Sequence, residues 1–135
     1  MPPDPIGMLK DGMATVLLVD DDAMYRRALG MFLDASYDID VVGDTGDGHE
    51  AIGLAERLRP DAVVIDLVMP GINGVDVAER IRSILPEVAI VLVTGVDGGE
   101  ERRRVEELAG AQLLPKGDPL PVENALRTLT RRPRA

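Results

Sequence analysis

The chain has 135 residues, no cysteine and a formal net charge of -9. That length holds one domain with a real core and not two. The missing cysteines exclude disulfides and thiolate metal sites and fit a reducing cytoplasm, the acidity argues against a nucleic-acid surface on this chain, and no apolar run approaches the roughly 20 residues of a membrane span.

Residues 1–13 are rich in Pro and Gly and carry no period, so they read as a disordered leader. Met1-Pro2-Pro3-Asp4-Pro5 lacks the charged start and apolar centre of a signal peptide. Thr15–Val19 is a short apolar run of the kind buried on both faces in a parallel sheet. It ends in Asp20-Asp21-Asp22. Asp22 is placed to cap a helix whose apolar stripe is Met24, Ala28, Leu29, Phe32 and Leu33.

Asp38–Val42 alternates before turning apolar, which predicts a strand at a sheet edge. Asp47 and Glu50 are spaced as a capping box. The helix they open carries Ile52, Ala55 and Leu58 and stops at Pro60. His49, the single histidine, falls at its second position and reads as solvent-exposed.

Ala62-Val63-Val64-Ile65 is the third strand, and it runs straight into Asp66. Such a strand has no room for a charge in its middle. It has room at its C-terminal end, where open α/β sheets keep their ligand crevice. Asn73 starts the next helix, with Val77, Ala78 and Ile81 inward. Val88–Val93 is the fourth strand and ends at Thr94-Gly95. Asp97-Gly98-Gly99 is a loop with little to stiffen it. A charged helix follows, in which Glu100 and Arg104 have the favourable i,i+4 order.

Ala111–Leu114 is a short fifth strand, and Pro115 suits an edge. Lys116-Gly117 comes next. Asp118-Pro119 reads as an N-cap with Pro at the first helical position. Val122, Ala125, Leu126 and Leu129 line the last helix, and residues 131–135 form a basic tail or linker stub. Strand and helix alternate five times, which predicts a three-layer α/β domain over about residues 14–130, with a parallel sheet and right-handed crossovers.

Four strands therefore stop at polar residues: Asp20 and Asp21, Asp66, Thr94, and Lys116. In a parallel sheet these ends share one edge, so the side chains should converge. The second strand contributes nothing comparable after Val42-Gly43. Three carboxylates in one crevice stay ionised only if a cation joins them or their pKa values rise. Oxygen ligands of this kind suit Mg²⁺. A carboxylate, a hard cation, an ammonium and a hydroxyl are what phosphoryl transfer to an aspartate needs. Gly95 leaves room for a bulky group.

Together Val16–Asp22, Asp66-Leu67-Val68-Met69-Pro70-Gly71-Ile72-Asn73-Gly74, Val93-Thr94-Gly95 and Leu114-Pro115-Lys116 resemble the receiver domain of bacterial two-component response regulators. The stretch from Val41 to Ala51 is most similar to receivers of LuxR/NarL-type regulators. The resemblance implies a flavodoxin-like (βα)5 doubly wound fold with strand order 2-1-3-4-5. It implies Asp66 as the phosphoacceptor and Mg²⁺ or Mn²⁺ held by Asp20, Asp21, Asp66 and the backbone carbonyl of Val68. It implies that Thr94, Gly95 and Lys116 meet the phosphoryl group. Leu113 occupies the position where the family usually carries a switch aromatic, and Gly117 replaces a frequent proline.

The resemblance further implies a sensor histidine kinase as donor and a conformational switch as output, with no enzymatic turnover beyond the domain's own phosphoryl group. Its partners would be that kinase and, as an open alternative, a second copy. A LuxR/NarL-type DNA-binding output domain would belong to a longer protein. Two rivals stand beside this reading. One is a receiver that binds partners without phosphorylation. The other is a Mg²⁺-dependent phosphatase working through an aspartyl-phosphate.

Overall fold

The computed structural model describes residues 13–95 and 99–130. Five strands and five helices alternate as β1 (Ala14–Val19), α1 (Ala23–Asp34), β2 (Ile39–Thr45), α2 (Gly48–Leu58), β3 (Ala62–Asp66), α3 (Gly74–Ile84), β4 (Ala89–Thr94), α4 (Glu101–Glu107), β5 (Gln112–Pro115) and α5 (Leu120–Leu129). All strand pairs are parallel, in the order β2-β1-β3-β4-β5. The architecture is the flavodoxin-like one expected, with β2 at an edge. The leader at 1–12, the loop at 96–98 and the basic tail at 131–135 lie outside the described residues.

Alternation along each strand divides the core in two. Leu17, Val19, Val63, Ile65, Ile90 and Leu92 face one side, where Ala51 and Ala55 of α2, Val77, Ala78 and Ile81 of α3 and Val105 of α4 cover them. Val16, Leu18, Val64, Val91 and Val93 face the other, covered by Leu29 and Leu33 of α1 and Val122, Ala125 and Leu126 of α5. β3 and β4 are buried at every position. That double coverage explains why these segments read as unbroken apolar runs.

Several local expectations change. In α1 only Leu29 and Leu33 of the expected stripe are fully buried. Met24 is 84% exposed and Ala28 is also exposed, because the stripe that meets the sheet is narrower than the run of apolar residues. β2 runs on through Gly43 and Asp44 to Thr45. An irregularity lets it do so: Val16 pairs with Val41 but Leu17 with Gly43, which leaves Val42 as an extra residue.

The capping box at α2 is only half made. Asp47 accepts from the amides of His49 and Glu50, but Glu50 turns to the Thr45 hydroxyl, which accepts the Asp47 amide in its place. His49 is exposed, as expected. α5 begins at Leu120, so Pro119 precedes the first helical position, and Asp118 still accepts the Leu120 amide at 3.0 Å. Arg104 reaches out of α4 to Asp76 and Glu79 of α3, at 2.6 and 2.8 Å.

Candidate functional site

The strand order makes β1, β3, β4 and β5 consecutive neighbours, so the residues at their C-terminal ends lie side by side. Asp20 follows β1, with its amide donating to the Thr45 carbonyl at 3.0 Å. Asp66 is the last residue of β3. Lys116 follows β5, with its amide on the Thr94 carbonyl at 2.9 Å. Asp20, Asp66 and Thr94 are buried to 3%, 5% and 5% exposure, while Asp21 is open to solvent.

The Lys116 ammonium ties the two buried carboxylates together. It donates to Asp20 Oδ1 at 3.1 Å and to Asp66 Oδ2 at 3.2 Å. It also forms an ion pair with Asp20 Oδ2 at 2.9 Å, although that buried oxygen has no hydrogen-bond partner among the described residues. Asp66 Oδ1 accepts from the Val68 amide at 3.2 Å, and Asp20 Oδ1 from the Asp22 amide at 2.8 Å. Burial, and then the charge of Asp20, push the Asp66 carboxyl up to about 6, against the opposing pull of the Val68 amide and Lys116. Burial works against the Lys116 ammonium, but its bonds to Asp20 and Asp66 outweigh this and hold it above its usual value.

The site is thus short of positive charge. One carboxylate oxygen each from Asp20, Asp21 and Asp66 lie within 4.8 Å of one another. Three carboxylates against one ammonium make a donor set that suits a hard divalent ion such as Mg²⁺ or Mn²⁺. Val68 itself is largely exposed. At Gly95 an added Cβ would meet nothing within 4 Å among the described residues. Leu113, paired with Leu92 across the sheet, packs against the core beneath α2–α4.

The floor of the site is closely packed for a specific reason. A Cβ on Gly74 would sit 2.2 Å from the Asp66 carbonyl oxygen, so α3 abuts the end of β3 more closely than any other residue type permits. The Gly74 amide donates to the Leu67 carbonyl at 2.9 Å, and Asn73 caps the helix by accepting the Asp76 amide.

Three participants were not read from the sequence. Arg26 bonds the Asp20 carbonyl and Asp44 Oδ1, the latter at 2.7 Å. Thr45, buried at the end of β2, holds the Asp20 amide. Tyr25 places its ring 4.8 Å from the Lys116 nitrogen. A signal existed for two of them. Tyr25 and Arg26 fall in the first turn of the helix that follows the Asp run, so they had to lie near it.

The response regulator receiver domain model matches residues 16–122. The chain is 35% identical over 120 residues to the transcriptional regulatory protein LiaR of Bacillus subtilis, covering 88% of this chain and 57% of LiaR. It is 31% identical over 117 residues to the response regulator protein VraR of Staphylococcus aureus, covering 86% of this chain and 56% of VraR. It spans about half the length of these curated relatives. Among solved structures, the signal receiver domain of NarL from Mycobacterium tuberculosis superposes with a TM-score of 0.77 at 27% identity, covering 89% of this chain and 98% of that one. A LuxR-family two-component response regulator from Aurantimonas does so with a TM-score of 0.80 at 26% identity, covering 87% and 85%.

Proposed function

Because this chain belongs to the response regulator receiver domains of two-component systems, we propose that it is a phosphorylation switch whose acceptor is Asp66. The observation that carries this reading is the arrangement at the end of β3. A buried carboxylate there shares the Lys116 ammonium with a second buried carboxylate, and Asp21 stands close enough for all three to share a cation.

A sensor histidine kinase is the proposed donor. Asp66 Oδ attacks phosphorus as the P–N bond of the phosphohistidine breaks, and the released imidazole takes up a proton. Asp20, Asp21, Asp66 and the Val68 carbonyl would hold Mg²⁺ or Mn²⁺. When bound, the ion neutralises charge on the phosphoryl oxygens as the group transfers. Lys116 stands ready to pair with one of those oxygens, and the Thr94 hydroxyl to donate to another. Gly95 leaves the space that the group needs.

The new group carries close to two negative charges. Lys116 and Thr94 turn toward it and shift the face formed by α4, β5 and α5. On this reading the domain turns over no external substrate. In a longer protein it would govern a DNA-binding output of the LuxR/NarL type, with a second copy as a further partner, in the cytoplasm. Among the described residues no helix is long and apolar enough to cross a membrane.

Intact mass after incubation with Mg²⁺ and acetyl phosphate tests the proposal. The expected result is one added phosphoryl group, absent in Asp66→Ala and absent under chelation. No uptake, together with no binding of beryllofluoride, would overturn it in favour of a partner-binding module.

A further inference from the structure

Tyr25 sits in the first turn of α1 and presents its ring to Lys116, with the ammonium 4.8 Å from the ring centroid. That separation is within cation–π range. The ring packs partly against the core beneath α1 and α5. Its hydroxyl is buried and has no hydrogen-bond partner among the described residues. An unpaired buried hydroxyl costs stability, and a leucine would fill a core position here without that cost. The demands of packing therefore do not account for an aromatic ring here. Its contact with the ammonium does, and a phenylalanine would make it equally well.

Lys116 carries a flexible four-carbon stem. Asp20 and Asp66 hold it by charge, yet that hold must change when the Asp66 carboxylate becomes an acyl phosphate. Phosphorylation alters the charge of Asp66, whereas Asp20 and the ring keep theirs, so both go on holding the ammonium when the Asp66 contact changes. Burial, and then the charge of Asp20, push the phenol above its usual value, so the ring stays neutral.

We propose that Tyr25 is a positioning residue for Lys116: its ring fixes where the ammonium stands and so sets how tightly the site retains a phosphoryl group. This rests on the reading of Asp66 as the acceptor. The test uses the full chain with Tyr25→Phe, Tyr25→Leu, Lys116→Met and the Tyr25→Leu/Lys116→Met pair.

In metal-free protein the Lys116 ε-methylene protons should show an upfield ring-current shift. That shift should be present in the wild type and Tyr25→Phe and absent in Tyr25→Leu. With Mg²⁺, beryllofluoride affinity should fall about fivefold in Tyr25→Leu and stay near wild type in Tyr25→Phe. Mg²⁺ affinity should not change, and Tyr25→Leu should add nothing on the Lys116→Met background. Absence of the ring-current shift in the wild type would overturn the proposal. So would wild-type beryllofluoride affinity in Tyr25→Leu, or a loss that persists without the lysine. Wild-type protein that binds no beryllofluoride overturns the acceptor reading instead, while the ring-current signal reports the Tyr25–Lys116 contact independently of it.

Discussion

Asp20 and Asp66 are two buried carboxylates that share one ammonium. Burial of the Asp66 charge, and then its repulsion by Asp20, are a standing cost of the ion-free fold, and they push the Asp66 carboxyl up to about 6. Asp66→Asn removes one charge and keeps the shape. In chelated buffer at pH 7 it should raise stability by on the order of 1 kcal/mol, read as a higher Tm. Saturating Mg²⁺ should erase that advantage by stabilising the wild type alone. Equal stability of the two proteins without metal would contradict the repulsion. Asp66 and Lys116 were legible in the sequence because each ends a strand, and strands of a parallel sheet end together. Tyr25 and Arg26 were legible only as neighbours of the Asp run; which groups they touch was not, since that depends on how far α1 turns before it meets the neighbouring strand ends.

The helices differ in how firmly they are held. α4 has seven residues and one buried side chain, Val105. Little apolar surface secures it, so it belongs to the low-stability end of the structure. Arg104 compensates by bridging to Asp76 and Glu79 on α3. These are partly exposed pairs, each worth at most about 1 kcal/mol. Arg104→Ala should raise hydrogen exchange in α4 several-fold and leave β3 and β4 unchanged, and high salt should reproduce part of the effect in the wild type. Unchanged exchange would show that Val105 alone seats the helix. The sequence offered Glu100 as the partner of Arg104 because i,i+4 spacing is visible along one helix, whereas a bridge between helices is not. For the same reason the α1 stripe included Met24 and Ala28: periodicity gives a face, but its width depends on what packs against it.

At the scale of the whole molecule, the last helix is clasped to the turn that precedes β2. Arg127 of α5 donates to Asp38 at 2.8 Å, just before β2, while Ser36 bonds Glu123. The Arg127 hydrogen bond holds the Asp38 carboxyl below its ordinary value of 3.8. A carboxyl so depressed stabilises the fold above its unfolded pKa and loses that contribution as pH falls through the lower folded one. Asp38→Asn should therefore be less stable than wild type at pH 7, and the two should converge as pH falls below 3.8. Parallel stability curves over that range would disprove the linkage. The strand order was legible only through the family resemblance. The alternation of β2 supported an edge position, but its true length was hidden because the apolar pattern stops at Val42.

The contact between Gly74 and the Asp66 carbonyl divides the crevice into an anvil and a hammer. The backbone at the end of β3 lies so close to α3 that no side chain fits between them, so on the proposed reading there is little room there for a displacement provoked by a charge added at Asp66. Such a displacement would be taken up more readily on the β4–β5 side, where no described residue crowds Gly95 and α4 is lightly seated. On the proposed reading, the direction in which a signal leaves this domain follows from unequal packing on either side of Asp66, and a single glycine sets the tighter side.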